Sequence, residues 1–121
     1  MSGDSGAAEK ELADRIFAEY EARQRFRPIR GDLRPATMEA GYRAQDQLNA
    51  RFAAAGRGPI AGYKIGLTSE KIRELCGIHE PIAGSIYQST VHRSPAALKL
   101  ADFMHLGIEF ELAVEMARDI P

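Results

Sequence analysis

In Gly107-Ile-Glu-Phe-Glu-Leu-Ala-Val-Glu-Met116 a large apolar residue recurs at every second position from Ile108 to Met116 without a break. A period of two specifies a strand and excludes an amphipathic helix. Ile108, Phe110, Leu112, Val114 and Met116 then share one face, predicted to be buried, and Glu109, Glu111, Ala113 and Glu115 share the other. Residues two apart on a strand stand roughly 7 Å from each other, so the carboxylates of Glu109 and Glu111 can converge on one ion. An all-oxygen pair suits a hard cation, Mg²⁺ or Mn²⁺, better than zinc. Glu115 lies about 20 Å along the strand from Glu109, too far to share that ion. The same glutamates also suit the wet face of a half-exposed strand, a reading that needs no ion.

The β pattern reaches back only to Pro59. Residues 1–8 are small and polar and are expected to form a flexible tail. From Glu9 to Arg27, Leu12, Ile16 and Tyr20 recur every four residues, which predicts a helix ended by Pro28. The prolines and the Gly31-Asp32 pair between Pro28 and Pro35 read as a loop. A second helix starts at Thr37, a good N-cap, and Gly56-Arg57-Gly58-Pro59 stops it. Beyond it, Ile60–Leu67, Ala83–Tyr87 and Thr90–His92 read as strands, and Ser69–Cys76 as a short helix closed by Gly77, with Cys76 on its apolar face as a small core residue. Residues 9–58 are therefore a helical segment and residues 59–121 the first part of a β-rich core, an α+β architecture.

Within the first of those strands, Gly62, Lys64 and Gly66 share one face. Glycine inside a strand marks close approach of a ligand or another backbone, and it leaves room beside the lysine stem. A lysine there can carry protons if burial and a nearby cation depress its pKa. Alternatively, Lys64 snorkels to solvent from an edge strand and the glycines mark a bulge.

Composition removes other classes. Sixteen basic residues balance seventeen acidic ones for a net charge of -1, so there is no electrostatic footprint for nucleic acid or an anionic membrane. A single cysteine makes neither an intrachain disulfide nor a Cys-based zinc site. No apolar run approaches the roughly 20 residues of a membrane-spanning helix. The N-terminus lacks the basic start and apolar stretch of a secretory signal, so a cytoplasmic setting is the expectation.

Five segments in order carry a family likeness. They are Ala40-Gly-Tyr-Arg-Ala-Gln-Asp-Gln-Leu48, Gly62-Tyr-Lys-Ile-Gly-Leu-Thr-Ser69, Pro81-Ile-Ala-Gly84, Ser94-Pro-Ala-Ala97 and Ile108-Glu-Phe-Glu-Leu-Ala113. Together they resemble the 2-keto-4-pentenoate hydratases of the fumarylacetoacetate hydrolase superfamily, whose close relatives are 4-oxalocrotonate decarboxylases. The resemblance implies a β-rich core of that superfamily's type behind a helical lead-in. It implies a Mg²⁺ or Mn²⁺ ion held by Glu109 and Glu111, chelating the carboxylate and 2-oxo oxygens of a small 2-oxo acid, with Lys64 moving protons. The implied reaction adds water to 2-hydroxypenta-2,4-dienoate or a close analogue in meta-cleavage breakdown of aromatic compounds. Decarboxylation of a related 2-oxo diacid is the alternative within the family.

Family members take a third acidic metal ligand from well downstream of the Glu-x-Glu strand, whereas only Glu115 and Asp119 follow here before Pro121. The resemblance thus implies the N-terminal part of a hydratase, its core incomplete: a truncated, non-catalytic fragment or a subunit that depends on a partner. A homo-oligomer or association with a related decarboxylase is expected, and little activity from the 121-residue chain alone.

Overall fold

A computed structural model describes residues 5–119. The elements are helix α1 (Ser5–Glu21), helix α2 (Met38–Phe52), strand β1 (Ile60–Gly66), helix α3 (Glu70–Cys76) and strand β2 (Ile82–Tyr87). The class is α+β, a helical lead-in followed by a small antiparallel sheet. Helix α1 starts at Ser5, ahead of the expected Glu9, and residues 1–4 of the expected tail lie outside the described residues. No helix among the described residues is long and apolar enough to cross a membrane.

Local chemistry sets the helix ends. Thr37 caps α2, its hydroxyl accepting a hydrogen bond from the Ala40 N–H at 3.2 Å. A wider turn over Ala53–Arg57 then carries the chain out through Gly56 at φ 88°. Gly77, at φ 67°, closes α3: its N–H bonds the Glu74 carbonyl and the Ile78 N–H bonds that of Arg73. Helix α1 ends the same way without a glycine. Arg23 takes the left-handed position at φ 51°, with its N–H on the Tyr20 carbonyl and the Gln24 N–H on that of Glu19. A non-glycine residue there costs about 1 kcal/mol or more. The Arg23 guanidinium offsets this by donating to the carbonyls of Ala101 at 2.8 Å and Asp102 at 3.4 Å. The helix therefore stops six residues before the Arg27 expected from periodicity.

Glu19 reinforces that end. Its carboxylate is 4% exposed and accepts from Arg15 Nε at 3.1 Å, Arg27 Nε at 2.8 Å and the Arg27 N–H at 3.3 Å. A buried carboxylate is tolerated when it is paired and hydrogen-bonded in this way.

Helices α1 and α2 touch through Glu9–Arg43, Asp14–Arg51 and Phe17–Phe52, in the same order along both. They therefore run in the same sense, and the long connection between them carries the chain back. Leu12 and Ala13 of α1 and Ala44 and Phe52 of α2 are the buried apolar residues among those described. Phe52 meets Phe17, Tyr20 and Tyr87 edge-on at 5.4, 5.0 and 5.4 Å. Arg57 lies over the Tyr20 and Phe52 rings.

The sheet joins α2 through polar groups. Tyr42, Gln45 and Asn49 stand three and four residues apart, hence on one helix face. The Ala83 N–H donates to the Tyr42 hydroxyl at 3.0 Å, and Gln45 donates to the Ala83 carbonyl at 3.1 Å. Asn49 donates to Ser85 Oγ at 3.0 Å and accepts from the Tyr87 hydroxyl at 2.6 Å. β1 and β2 pair antiparallel, with Lys64 opposite Gly84 and Tyr63 opposite Ser85, after an irregularity between Ile60 and Gly62.

Four expectations need correction. Residues 107–116 form no strand: they make no ladder with β1 or β2, and a strand exists only where its backbone groups find a partner. Phe110 and Leu112, predicted buried, are 99% and 101% exposed, because nothing among the described residues packs on them. Thr90–His92 forms no strand: Thr90 ends a tight turn (Gln88–Thr90), and Val91 and His92 join no sheet. Cys76 is exposed, since α3 buries no face.

Two outcomes follow. Phe52→Ala should destabilise the helical lead-in by about 3 kcal/mol, read from urea unfolding followed by helical circular dichroism. The Arg27 hydrogen bond, followed by that of Arg15, holds Glu19 below its ordinary 4.5. A depressed folded-state pKa gives stability that is present above the unfolded value and lost as pH falls through the folded one. The thermal midpoint should therefore fall on acidification below about pH 4.5, and Glu19→Gln should flatten that fall.

Candidate functional site

Cross-strand partners in an antiparallel pair share a face, so Lys64 stands with Gly84 and with its own neighbours Gly62 and Gly66. Ala83 and Ser85, held by α2, lie on the opposite face. A Cβ built on Gly62 or Gly84 meets nothing within 4 Å, so space is open beside the lysine stem, while Ile82 and Ile86, opposite Gly66 and Gly62, bound the same face. Gly84 is part of this site although the sequence reading centred on Gly62 and Gly66; its signal was Pro81-Ile-Ala-Gly84, interpretable only once the register is known.

Into that opening come the two glutamates. Lys64 Nζ donates to Glu109 Oε2 at 2.6 Å and to Glu111 Oε1 at 3.3 Å. One ammonium bonded by both carboxylates shows that Glu109 and Glu111 reach the same side of their segment. All three residues singled out in the sequence thus meet at one point, although Lys64 is separated from Glu109 by 45 positions. They meet by side-chain contact from an unpaired segment, and not from a neighbouring strand as the alternation suggested.

The charges hold one another ionised. The Glu109 hydrogen bond, then that of Glu111, raises the Lys64 pKa above its ordinary 10.5. Lys64 in turn holds Glu109 below 4.5. With only the two carboxylates facing it, the lysine is shifted upward; the expected depression is conditional on burial and a neighbouring cation. All three side chains are about half exposed or more, so water screens the pair and its contribution to stability is small.

The donor set suits a hard cation in kind. Two carboxylates already converge on one positive centre, the lysine ammonium. In number it is short: among the described residues no three His, Cys, Asp or Glu side chains stand close enough to hold a metal, and Glu115 and Asp119 do not complete the pair. His79, His92 and His105 enter no such group either.

Behind the lysine the chain leaves β1 under constraint. Leu67 takes φ 56°, and Arg73 of α3 donates to the carbonyls of Leu67 at 3.0 Å and Thr68 at 2.7 Å. A leucine in that region is strained, and the Arg73 guanidinium holds it there. Neither residue was singled out in the sequence, and no local pattern reports a positive φ at leucine.

Removal of the ammonium should free Glu109. In Lys64→Met, the Glu109 carboxyl should titrate closer to its ordinary 4.5, upward from its lowered value, as followed by carbon-13 NMR of the side-chain carboxyl. An unmoved Glu109 would mean that the contact does not persist in solution.

No family model matches the chain. No solved structure matches it either. Curated proteins do. It is 28% identical over 96% of its length to a protein named TodF product hydratase from Pseudomonas putida, and spans 42% of that protein. It is 28% identical over 90% of its length to a 2-keto-4-pentenoate hydratase of Paraburkholderia phymatum, spanning 41% of it. A 2-hydroxypent-2,4-dienoate hydratase of Pseudomonas putida is 26% identical over 91% of the chain, half of that protein's length. The chain spans two fifths to one half of the length of these relatives. Along nine tenths or more of its own length, it is similar in sequence to part of the 2-keto-4-pentenoate hydratases.

Proposed function

We propose that this chain contributes Lys64, Glu109 and Glu111 to a hydro-lyase that hydrates 2-hydroxypenta-2,4-dienoate or a close analogue in meta-cleavage aromatic degradation. The observation that carries the reading is the convergence of those three side chains beside Gly62 and Gly84. The relatives named above support hydration over decarboxylation, since each is named a hydratase. The reading places the chain in a fold of the fumarylacetoacetate hydrolase type.

Net addition of water requires the dienol to lose its enol proton and C5 to gain one. Water then adds at C4 as C3 is protonated, giving a 4-hydroxy-2-oxo acid. Lys64, held protonated by its two partners, is an acid within reach of a ligand lying on the glycines. It becomes a base only when another positive centre takes up those carboxylates. Glu109 and Glu111 would hold Mg²⁺ or Mn²⁺. The ion would supply positive charge against the negative charge that develops on the substrate. A flat unsaturated acid would lie over Gly62 and Gly84, where a Cβ meets nothing within 4 Å.

The test is turnover of 2-hydroxypenta-2,4-dienoate, with Mg²⁺ or Mn²⁺ added, by a complete hydratase-length protein that carries this segment, followed by loss of the diene absorbance. Lys64→Ala should lower kcat by about 100-fold or more if the lysine transfers protons. A change confined to KM would make it a binding residue instead. Glu109→Gln and Glu111→Gln should each raise the metal concentration needed for half-maximal activity. Release of carbon dioxide from 4-oxalocrotonate without hydration of the dienoate would move the assignment to the decarboxylase.

A further inference from the structure

The sheet face that carries Lys64 is apolar apart from the lysine itself. The register places six residues on it: Gly62, Lys64 and Gly66 of β1, and Ile86, Gly84 and Ile82 of β2. Along β2 the row reads Ile82, Gly84, Ile86, with residues two apart standing roughly 7 Å from each other. The Ile82 side chain lies over Gly66, where a built Cβ would meet its Cγ1 at 3.6 Å. At Gly62 and Gly84 a Cβ meets nothing within 4 Å. Space is therefore open around Gly84 and is bounded along the strand by an isoleucine in either direction. Both isoleucines are half-buried, so each still offers apolar surface to a small molecule.

Among those six residues Lys64 is the one cation, and Glu109 and Glu111 already share it. Arg73, the next arginine along the chain, commits its guanidinium to the Leu67 and Thr68 carbonyls. A small acid held at the charged middle of this face thus extends towards an isoleucine, whichever way it lies along the strands. An alkyl end gains apolar contact there. A second carboxylate loses water instead, and finds two further carboxylates and no free cation on the face. A single methylene in an apolar pocket changes kcat/KM by roughly 10–200-fold, so a wall of this kind is strong enough to select.

We propose, resting on the hydratase reading, that Ile82 and Ile86 determine which dienoates this site takes. They admit 2-hydroxydienoates whose C5 carries hydrogen or a small alkyl group and reject those that end in a second carboxylate. Neither isoleucine moves a proton or holds an ion; their part is apolar contact with the end of the substrate remote from its acid group. The 2-oxo diacid of the decarboxylase alternative meets the same wall.

The experiment compares two dienoates in a complete hydratase-length protein that carries this segment, with Mg²⁺ added. One, 2-hydroxyhexa-2,4-dienoate, has a methyl group on C5; the other, 2-hydroxyhepta-2,4-dienedioate, has a carboxymethyl group there. The methyl compound should be hydrated with a kcat/KM at least about tenfold higher. Ile82→Arg and Ile86→Arg are made separately, and at least one should cut that ratio about tenfold by giving the second carboxylate a partner. A ratio taken within one protein does not depend on how much of the variant is folded. Equal rates, or a preference for the diacid, overturn the proposal. So does a ratio that neither arginine moves.

Binding separates the wall from the reaction. Saturated 2-oxohexanoate and 2-oxoadipate have no double bond to hydrate, and isoleucine methyl NMR follows their binding to the same protein. The first should shift an Ile82 or Ile86 methyl signal and bind at least about tenfold more tightly than the second. Selective binding of this kind with no turnover of either dienoate keeps the wall and removes the proposed reaction. Equal affinities, or no isoleucine shift with either acid, overturn the wall even where hydration proceeds.

Discussion

One face of α2 sets the position of everything beyond it. Tyr42, Gln45 and Asn49 bind the backbone and side chains of β2, and Phe52 at the end of the same face packs on Tyr87. These contacts are polar for most of their length, so they specify register more than they add stability. A shift of β2 by one residue would leave Gln45 without the Ala83 carbonyl and turn Gly84 towards the helix. Because β1 is registered only through β2, the same contacts decide that Lys64 points away from the helices.

At the site itself, geometry and charge are complementary in an unusual order. An ammonium stands where two carboxylates meet, and each group keeps the other ionised. Such a triad is close to a metal site in its electrostatics, with a monovalent centre on a flexible stem. Gly62 and Gly84 leave open space beside that stem, and Ile82 and Ile86 bound it on the same face.

Local signals in the sequence were legible where local chemistry decides the outcome. Thr37 announces the start of α2, Gly77 the end of α3, and the glycine-lysine alternation the course of β1. The end of α1 was hidden because an arginine fills a position that glycine normally occupies, supported by carbonyls about 80 residues away. The alternation from Ile108 to Met116 reports which side chains need cover, but it cannot report whether cover exists. That is why the pattern reads as a buried strand and the structure shows an exposed one-sided row. The meeting of Lys64 with Glu109 and Glu111 was legible only in outline. Residue types and family likeness named the participants, while the direct ion pair depends on a long-range approach that no local pattern encodes.

The anchor made by Arg23 also shortens a tether. Measured from the end of β2, Glu109 hangs on about 20 residues of irregular chain; measured from Asp102, it hangs on about seven. Effective concentration falls roughly as the three-halves power of tether length. Fixing Ala101 and Asp102 to the end of α1 therefore raises the local concentration of the Glu109 carboxylate around Lys64 about fivefold. The strained turn that closes the first helix thus acts as a remote control on how often the distant acid and base meet.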